Sequence, residues 1–214
     1  MPGLLGLSVP ILISRILTLI IAFTIHELSH AVTAVQLGDD TPRRLGRLTL
    51  NPLAHLDPIG SLLLIFAGFG WAKPVPVNPY HLRMNPHTGM AVVAAAGPIS
   101  NFLMALIAAI PFRLGLISPF ASTGGPIFPS FAGFLIDFMS INLLLMLFNL
   151  IPIAPLDGSK VLAGFAPREW DGLLATLEQW GPFLLLALVF LGQGLLAIII
   201  DPPLTFLLRA IVGL

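Results

Sequence analysis

Of 214 residues only 9% are Asp, Glu, Lys or Arg and 57% are hydrophobic, against roughly 25% charged in an ordinary soluble domain, so residues 1–214 read as one membrane-embedded domain of several spans. Ten acidic and ten basic residues cancel, and no global field points to nucleic acid or to an acidic partner. Cysteine is absent, which excludes disulfides, iron–sulfur clusters, thiolate zinc sites and cysteine nucleophiles and leaves His, Asp and Glu as ligands.

The first apolar segment, Val9 to Leu37, exceeds the roughly 20 residues needed to cross a bilayer. It lacks a basic n-region, so it is read as a span and not as a cleaved signal peptide. Within it stands His26-Glu27-Leu28-Ser29-His30, an H-E-x-x-H motif. Ionisable groups inside a span need partners that offset their lost hydration, and a metal ion is such a partner. Residues i and i+4 share one helix face, so both imidazoles reach one ion while Glu27 projects beside a water on it.

Arg43, Arg44 and Arg47 follow, and are read as orienting charges that meet anionic headgroups. His55 and Asp57 lie in a loop of Asn-Pro and Asp-Pro turns and are assigned structural or gating use. Ile59 to Trp71 is too short to span and reads as a re-entrant or interfacial element. Phe69, Gly70 and Trp71 lead into Ala72-Lys73-Pro74-Val75-Pro76-Val77-Asn78-Pro79, where alternating prolines forbid helix and favour extended backbone with an unpaired edge. His81 and His87 carry no signal.

Further spans are expected near 89–113, 131–152 and 181–200, with a plain loop at Ser118 to Ser130. Pro203 to Leu214 is again short, and Asp201-Pro202-Pro203 reads as a break. The fold expected is an all-α polytopic membrane protein with about four to six membrane segments and a short re-entrant or extended hairpin element. Arg43, Arg44, Arg47, Lys73, Arg83, Lys160 and Arg168 fall on one face, which is therefore read as cytosolic, with Arg15, Arg113 and Arg209 near the outer boundary. The N-terminus is then outside and the motif lies nearer the cytosol.

Two histidines need a third protein ligand, commonly a carboxylate or another His. Asp157 follows Asn149-Leu150-Ile151-Pro152-Ile153-Ala154-Pro155-Leu156 at the cytosolic end of the third span, in reach of the motif, beside a helix broken by prolines. Asp-Gly is also a common turn dipeptide. Asp137 sits early in that span, well away in depth, and reads as a pairing or capping carboxylate. Asn101 and Asn142 read as interhelical glue, with cavity lining an open alternative for Asn101.

The combination of HELSH in a span with a downstream NLIPIAPLDG closely resembles the site-2 protease family of intramembrane zinc metallopeptidases. GRLTLNPLAHLDPIG at 46–60, KPVPVNP at 73–79 and AGPISN at 96–101 extend the resemblance to about Gly158, in a compact form without PDZ or CBS domains. It implies one zinc ion held by His26, His30 and Asp157, Glu27 as catalytic base, and Asn149 as a group that stabilises the reacting carbonyl or binds substrate backbone. It further implies a membrane-anchored protein substrate, cut within or near a locally unwound transmembrane segment, in the cell membrane. A zinc-binding membrane transporter, or a non-catalytic adaptor for transmembrane helices, would also use His and Asp in spans. A transporter has no need of Glu beside a ligand.

Overall fold

The computed structural model describes residues 6–67, 70–119 and 125–213; Phe69, residues 120–124 of the Ser118 to Ser130 loop, and Leu214 lie outside the described residues. Among the described residues eight α-helices follow in order: α1 Val9–Gln36, α2 Thr41–Arg44, α3 Pro58–Ala67, α4 Pro86–Arg113, α5 Phe131–Asn149, α6 Asp157–Phe165, α7 Asp171–Phe190 and α8 Gln193–Val212. Five of them, α1, α4, α5, α7 and α8, are long and apolar enough to cross a membrane, and the chain is an integral membrane protein.

Helix α4 is the centre, packing against α1, α5, α6 and α8. Its buried face is mostly small: Ala91, Ala94, Gly97, Ser100, Ala105, Ala108 and Ala109. Between helices in lipid there is no water to expel, so association rests on close van der Waals approach and interhelical hydrogen bonds, which small residues permit. Ala105, Ala108, Ala109 and Phe112 meet Ala132, Leu135, Met139 and Leu143 of α5 and Ile211 of α8 in the main core.

The direction of each helix follows from its contacts. His26 of α1 bonds Asn101 of α4, while Ala34 packs with Val93 and Leu82, so α1 and α4 are antiparallel. Phe112 packs with Ala132 and its neighbours, so α4 and α5 are also antiparallel. The Arg113 guanidinium at the end of α4 donates to the carbonyls of Ala210 and Ile211, which sets α8 parallel to α4. Gly164 of α6 abuts Ala91 and the His87 carbonyl near the start of α4. Gly181, Leu185 and Val189 of α7 pack near Ala154, Ile151, Leu156 and Leu196. The second half of α7 therefore lies against the Ile151 to Leu156 connection and the first half of α8.

This corrects the fourth span. The stretch 181–200 straddles two helices separated at Leu191 and Gly192, and residues 203–212 are the second half of α8, with Pro202 and Pro203 inside that helix. Proline removes one helical donor but leaves the rest of the ladder intact, which a packed membrane helix tolerates. Helix α3, 10 residues long, is too short to span, as expected of a re-entrant or interfacial element. Residues 72–78 lie outside any helix, and their backbone meets other backbone through a bridge between Leu56 and Ala72 and the Lys73 N–H on the His55 carbonyl at 2.7 Å.

Candidate metal centre

Helix α1 brings His26 and His30 to one face one turn apart, with ring centroids 4.7 Å apart. Asp157, the first residue of α6, reaches them from below α5: its Oδ2 lies 3.1 Å from His26 Nε2 and 3.3 Å from His30 Nε2. All three are buried, as is Glu27. Gly158 permits the turn that places Asp157, because a Cβ there would run into the Leu150 and Ile151 carbonyls. The Asp-Gly pair thus packs a carboxylate into the bundle.

The proton inventory decides what these three atoms can do. His30 Nδ1 stands 2.7 Å from the Val93 carbonyl oxygen, which can only accept, so Nδ1 carries a proton, and in the neutral ring that a metal requires Nε2 holds the lone pair. His26 Nδ1 stands 2.6 Å from Asn101 Oδ1, with the same consequence. Asp157 Oδ2 is buried with no hydrogen-bond donor of its own. With both imidazoles neutral, three electron-pair donors converge on one point, and a cation there satisfies all of them. Ligands 2.0–2.1 Å from a tetrahedral zinc lie about 3.3 Å from one another, matching both separations.

Gly97 supplies the remaining room. A Cβ at this position of α4 would sit 2.5 Å from the Nε2 atoms of both histidines. The glycine of AGPISN thus keeps the space in front of the two lone pairs open. His26, His30 and Asp157 are the group able to hold a metal ion among the described residues.

A cavity of about 390 Å³ opens beside this cradle, walled by α1, by Trp71 to Val77, by Asn149, by Lys160 and by Leu185 of α7. Glu27 lines it and accepts the Val75 backbone N–H at 3.1 Å. Asn149, the last residue of α5, also lines it and donates to the Leu145 carbonyl at 3.0 Å. The remaining amide N–H and the Oδ1 of Asn149 are available to a ligand.

Against known proteins, the chain is 41% identical over 187 residues to a Bacillus subtilis protein named "Putative zinc metalloprotease YwhC", covering 85% of this chain and 83% of that one. The chain belongs to the site-2 protease family. It is also 31% identical over 183 residues to "Putative zinc metalloprotease Rip2" of Mycolicibacterium smegmatis, and 29% identical over 174 residues to the Rip2 of Mycobacterium tuberculosis. These matches cover 82% and 79% of this chain and 66% and 63% of the relatives. No family model and no solved structure matches.

Other residues of this site-2 protease homologue fall differently from expectation. Arg47 does not face headgroups: it is 5% exposed, and its guanidinium donates to the Lys73 carbonyl, pinning the extended segment to the body. Burial pushes its pKa down, opposed by the Glu27 carboxylate nearby. Sequence reading grouped it with Arg43 and Arg44 because all three are cations in one short loop, and composition does not show which points inward. Asn101 is absent from the cavity wall; it bonds His26 on one side and Asn142 on the other. His55 is fully buried, with Nε2 2.8 Å from the Thr49 carbonyl, and Asp57 accepts the Gly60 N–H at 2.8 Å, opening α3; both serve the loop. Asp137 is half-buried early in α5 and outside the metal group.

Asp39, which the sequence reading passed over, is fully buried after α1. It accepts from the Thr41 hydroxyl at 2.6 Å and from the Thr41 and Asn78 backbone N–H groups at 3.0 and 2.7 Å, and it faces His81 Nδ1 at 3.3 Å. Burial raises its pKa, but these donors outweigh burial and hold it below the ordinary carboxylate value. The carboxylate locks the far end of the extended segment to the end of α1.

Proposed function

We propose that the chain is an intramembrane zinc endopeptidase that hydrolyses a peptide bond within or near a locally unwound transmembrane segment of a membrane-anchored protein. The observation that carries this reading is the juxtaposition of the His26, His30 and Asp157 cradle with Glu27, in a cavity walled by extended backbone. Lewis acidity is what a zinc ion held in that cradle supplies, to a scissile carbonyl and to a water whose pKa it brings to about 7. Glu27, adjacent to a ligand and facing the cavity, takes the proton of the attacking water and passes it to the leaving amine. Asn149 offers its free amide groups to the reacting carbonyl or to the substrate backbone.

A transmembrane helix hides its carbonyls in i to i−4 hydrogen bonds, so substrate must open locally before it can be cut. The segment from Lys73 to Pro79 is suited to hold the opened strand. Pro74, Pro76 and Pro79 carry no N–H, whereas Val75 and Val77, two apart in extended backbone, direct theirs to the same side. Val75 turns its N–H to Glu27, so this edge faces the cavity, and a substrate strand added there takes that N–H over from the carboxylate.

Arg43, Arg44, Lys73, Arg83 and Lys160 lie in the short helices and loops that link α1 to α4 and α5 to α7, at the end of the bundle nearer the site. The retention of Lys and Arg on the inner side makes that end cytosolic, in the cell membrane. Residues 1–214 act as one domain, with lipid and a transmembrane substrate as partners.

Replacement of Glu27 by Gln is the test. Zinc content and fold should persist while cleavage of a single-span substrate in detergent falls by at least about a hundredfold, the lower end of what a general base contributes. Unchanged cleavage removes Glu27 from the mechanism. Zinc flux into vesicles without proteolysis would point to a carrier.

A further inference from the structure

We propose that Asn101 and Asn142 are positioning residues for His26: a polarised amide relay across α1, α4 and α5 that fixes the tautomer and ring plane of one metal ligand. The proposal rests on the metallopeptidase reading above.

The relay has three links. Asn142 Nδ2 donates to the Phe138 carbonyl at 2.9 Å, Asn101 Nδ2 donates to Asn142 Oδ1 at 2.8 Å, and Asn101 Oδ1 faces His26 Nδ1 at 2.6 Å. Each direction follows from the one before. A backbone carbonyl only accepts, so it turns the amide nitrogen of Asn142 towards itself and the oxygen towards Asn101. Asn101 must then present its nitrogen to Asn142 and its oxygen to His26. An amide oxygen also only accepts, so His26 carries its proton on Nδ1 and keeps Nε2 free for the ion. One main-chain carbonyl on α5 thus sets the protonation pattern of a ligand on α1.

Two further observations separate this from simple helix glue. Both asparagines are fully buried, where each unmatched amide group carries a desolvation penalty, and the last link of the relay ends on a metal-facing ring. The two histidines also differ in their support: His30 is oriented directly by the Val93 main-chain carbonyl, which no side-chain substitution removes, whereas His26 depends on two side chains. Partners in this position orient a metal-ligating imidazole and raise its basicity, and their loss weakens metal binding about 10- to 100-fold.

The test compares purified full-length protein with Asn101→Leu, Asn142→Leu and Asn142→Asp. Zinc affinity is read by chelator competition, ligand geometry by the visible spectrum of the cobalt-substituted protein, and fold by melting of the metal-free form. Asn101→Leu should weaken zinc about 10- to 100-fold and alter the cobalt bands. Asn142→Leu, which touches no ligand, should weaken zinc by a smaller but measurable factor. Asn142→Asp should recover most of that loss, because a buried carboxyl that keeps its proton presents the same donor and acceptor. Zinc affinity and cobalt spectra unchanged in both leucine variants would overturn the relay while leaving the metallopeptidase reading intact. The same follows if Asn142→Leu lowers only the metal-free melting temperature. If Asn101→Leu does not fold, the two Asn142 variants decide the matter alone. A parent protein that binds no zinc would end both readings.

Discussion

Substitution of Gly97 by Ala places one methyl group where the site has no room for it. On an ordinary internal helix position, Gly to Ala stabilises by about 0.5–1 kcal/mol, because alanine loses less backbone entropy on folding. Here the new Cβ would stand 2.5 Å from His26 Nε2 and from His30 Nε2, and 2.6 Å from His26 Cε1. Ordinary contact begins near 3.4 Å, so both rings must retreat by about 0.9 Å, against a tolerance of about 0.2 Å in ligand distances at a metal site. Two ligands displaced together should weaken zinc by more than the roughly 100-fold that follows loss of one outer hydrogen-bond partner. The assay is zinc content of the purified variant, followed by chelator competition and substrate cleavage. The account expects a folded protein that is zinc-poor and inactive, with metal-free melting near or below that of the parent, because overpacking of two buried rings offsets the gain in backbone entropy. A Gly97→Ala protein that keeps zinc within about threefold of the parent and cleaves normally would show that Nε2 of these histidines does not face the ion.

Removal of metal by a chelator should abolish cleavage, and added zinc should restore it in the parent but not in Asp157→Asn, as read by gel-based cleavage of a single-span substrate. Arg47→Ala deletes the charged donor to the Lys73 carbonyl, a hydrogen bond of a kind that contributes about 1.5–3 kcal/mol; the expected readout is a lower melting temperature and a reduced cleavage rate with zinc content intact. For Asp39 the folded pKa lies below the unfolded value near 3.8, so its contribution to stability is complete above that value and is lost as pH falls through the folded pKa. Asp39→Asn should therefore flatten the acid limb of melting temperature against pH below about pH 4, and an unchanged limb would remove Asp39 from the lock.

The metal centre was legible where its signal was local. His26 and His30 stand at helical spacing, so period alone puts them together, and Asp157 was marked by a helix end at prolines. Gly97, Asn101 and Asn142 were not legible as site parts, because glycine and asparagine in spans serve packing and helix association generally, and their meaning here depends on contacts 41 and 75 residues apart in sequence. The crossings α1, α4 and α5 followed from apolar length. The region from 171 onward did not, because a hydropathy window measures composition and is blind to direction. It missed the turn at Leu191 and Gly192 within an apolar run, discounted the polar first half of α7 at Asp171 to Trp180, and took Pro202 and Pro203 as a stop although α8 continues through them.

The most direct measurement is X-ray absorption at the zinc edge on protein purified with metal present, together with zinc stoichiometry. The account predicts one zinc per chain with two imidazole nitrogens at about 2.0–2.1 Å and carboxylate or water oxygen completing a four-coordinate set, both nitrogen shells disappearing in His26→Ala combined with His30→Ala. A protein that cleaves its substrate with no zinc bound, or whose zinc spectrum shows no imidazole and is unaltered by that double substitution, would contradict it.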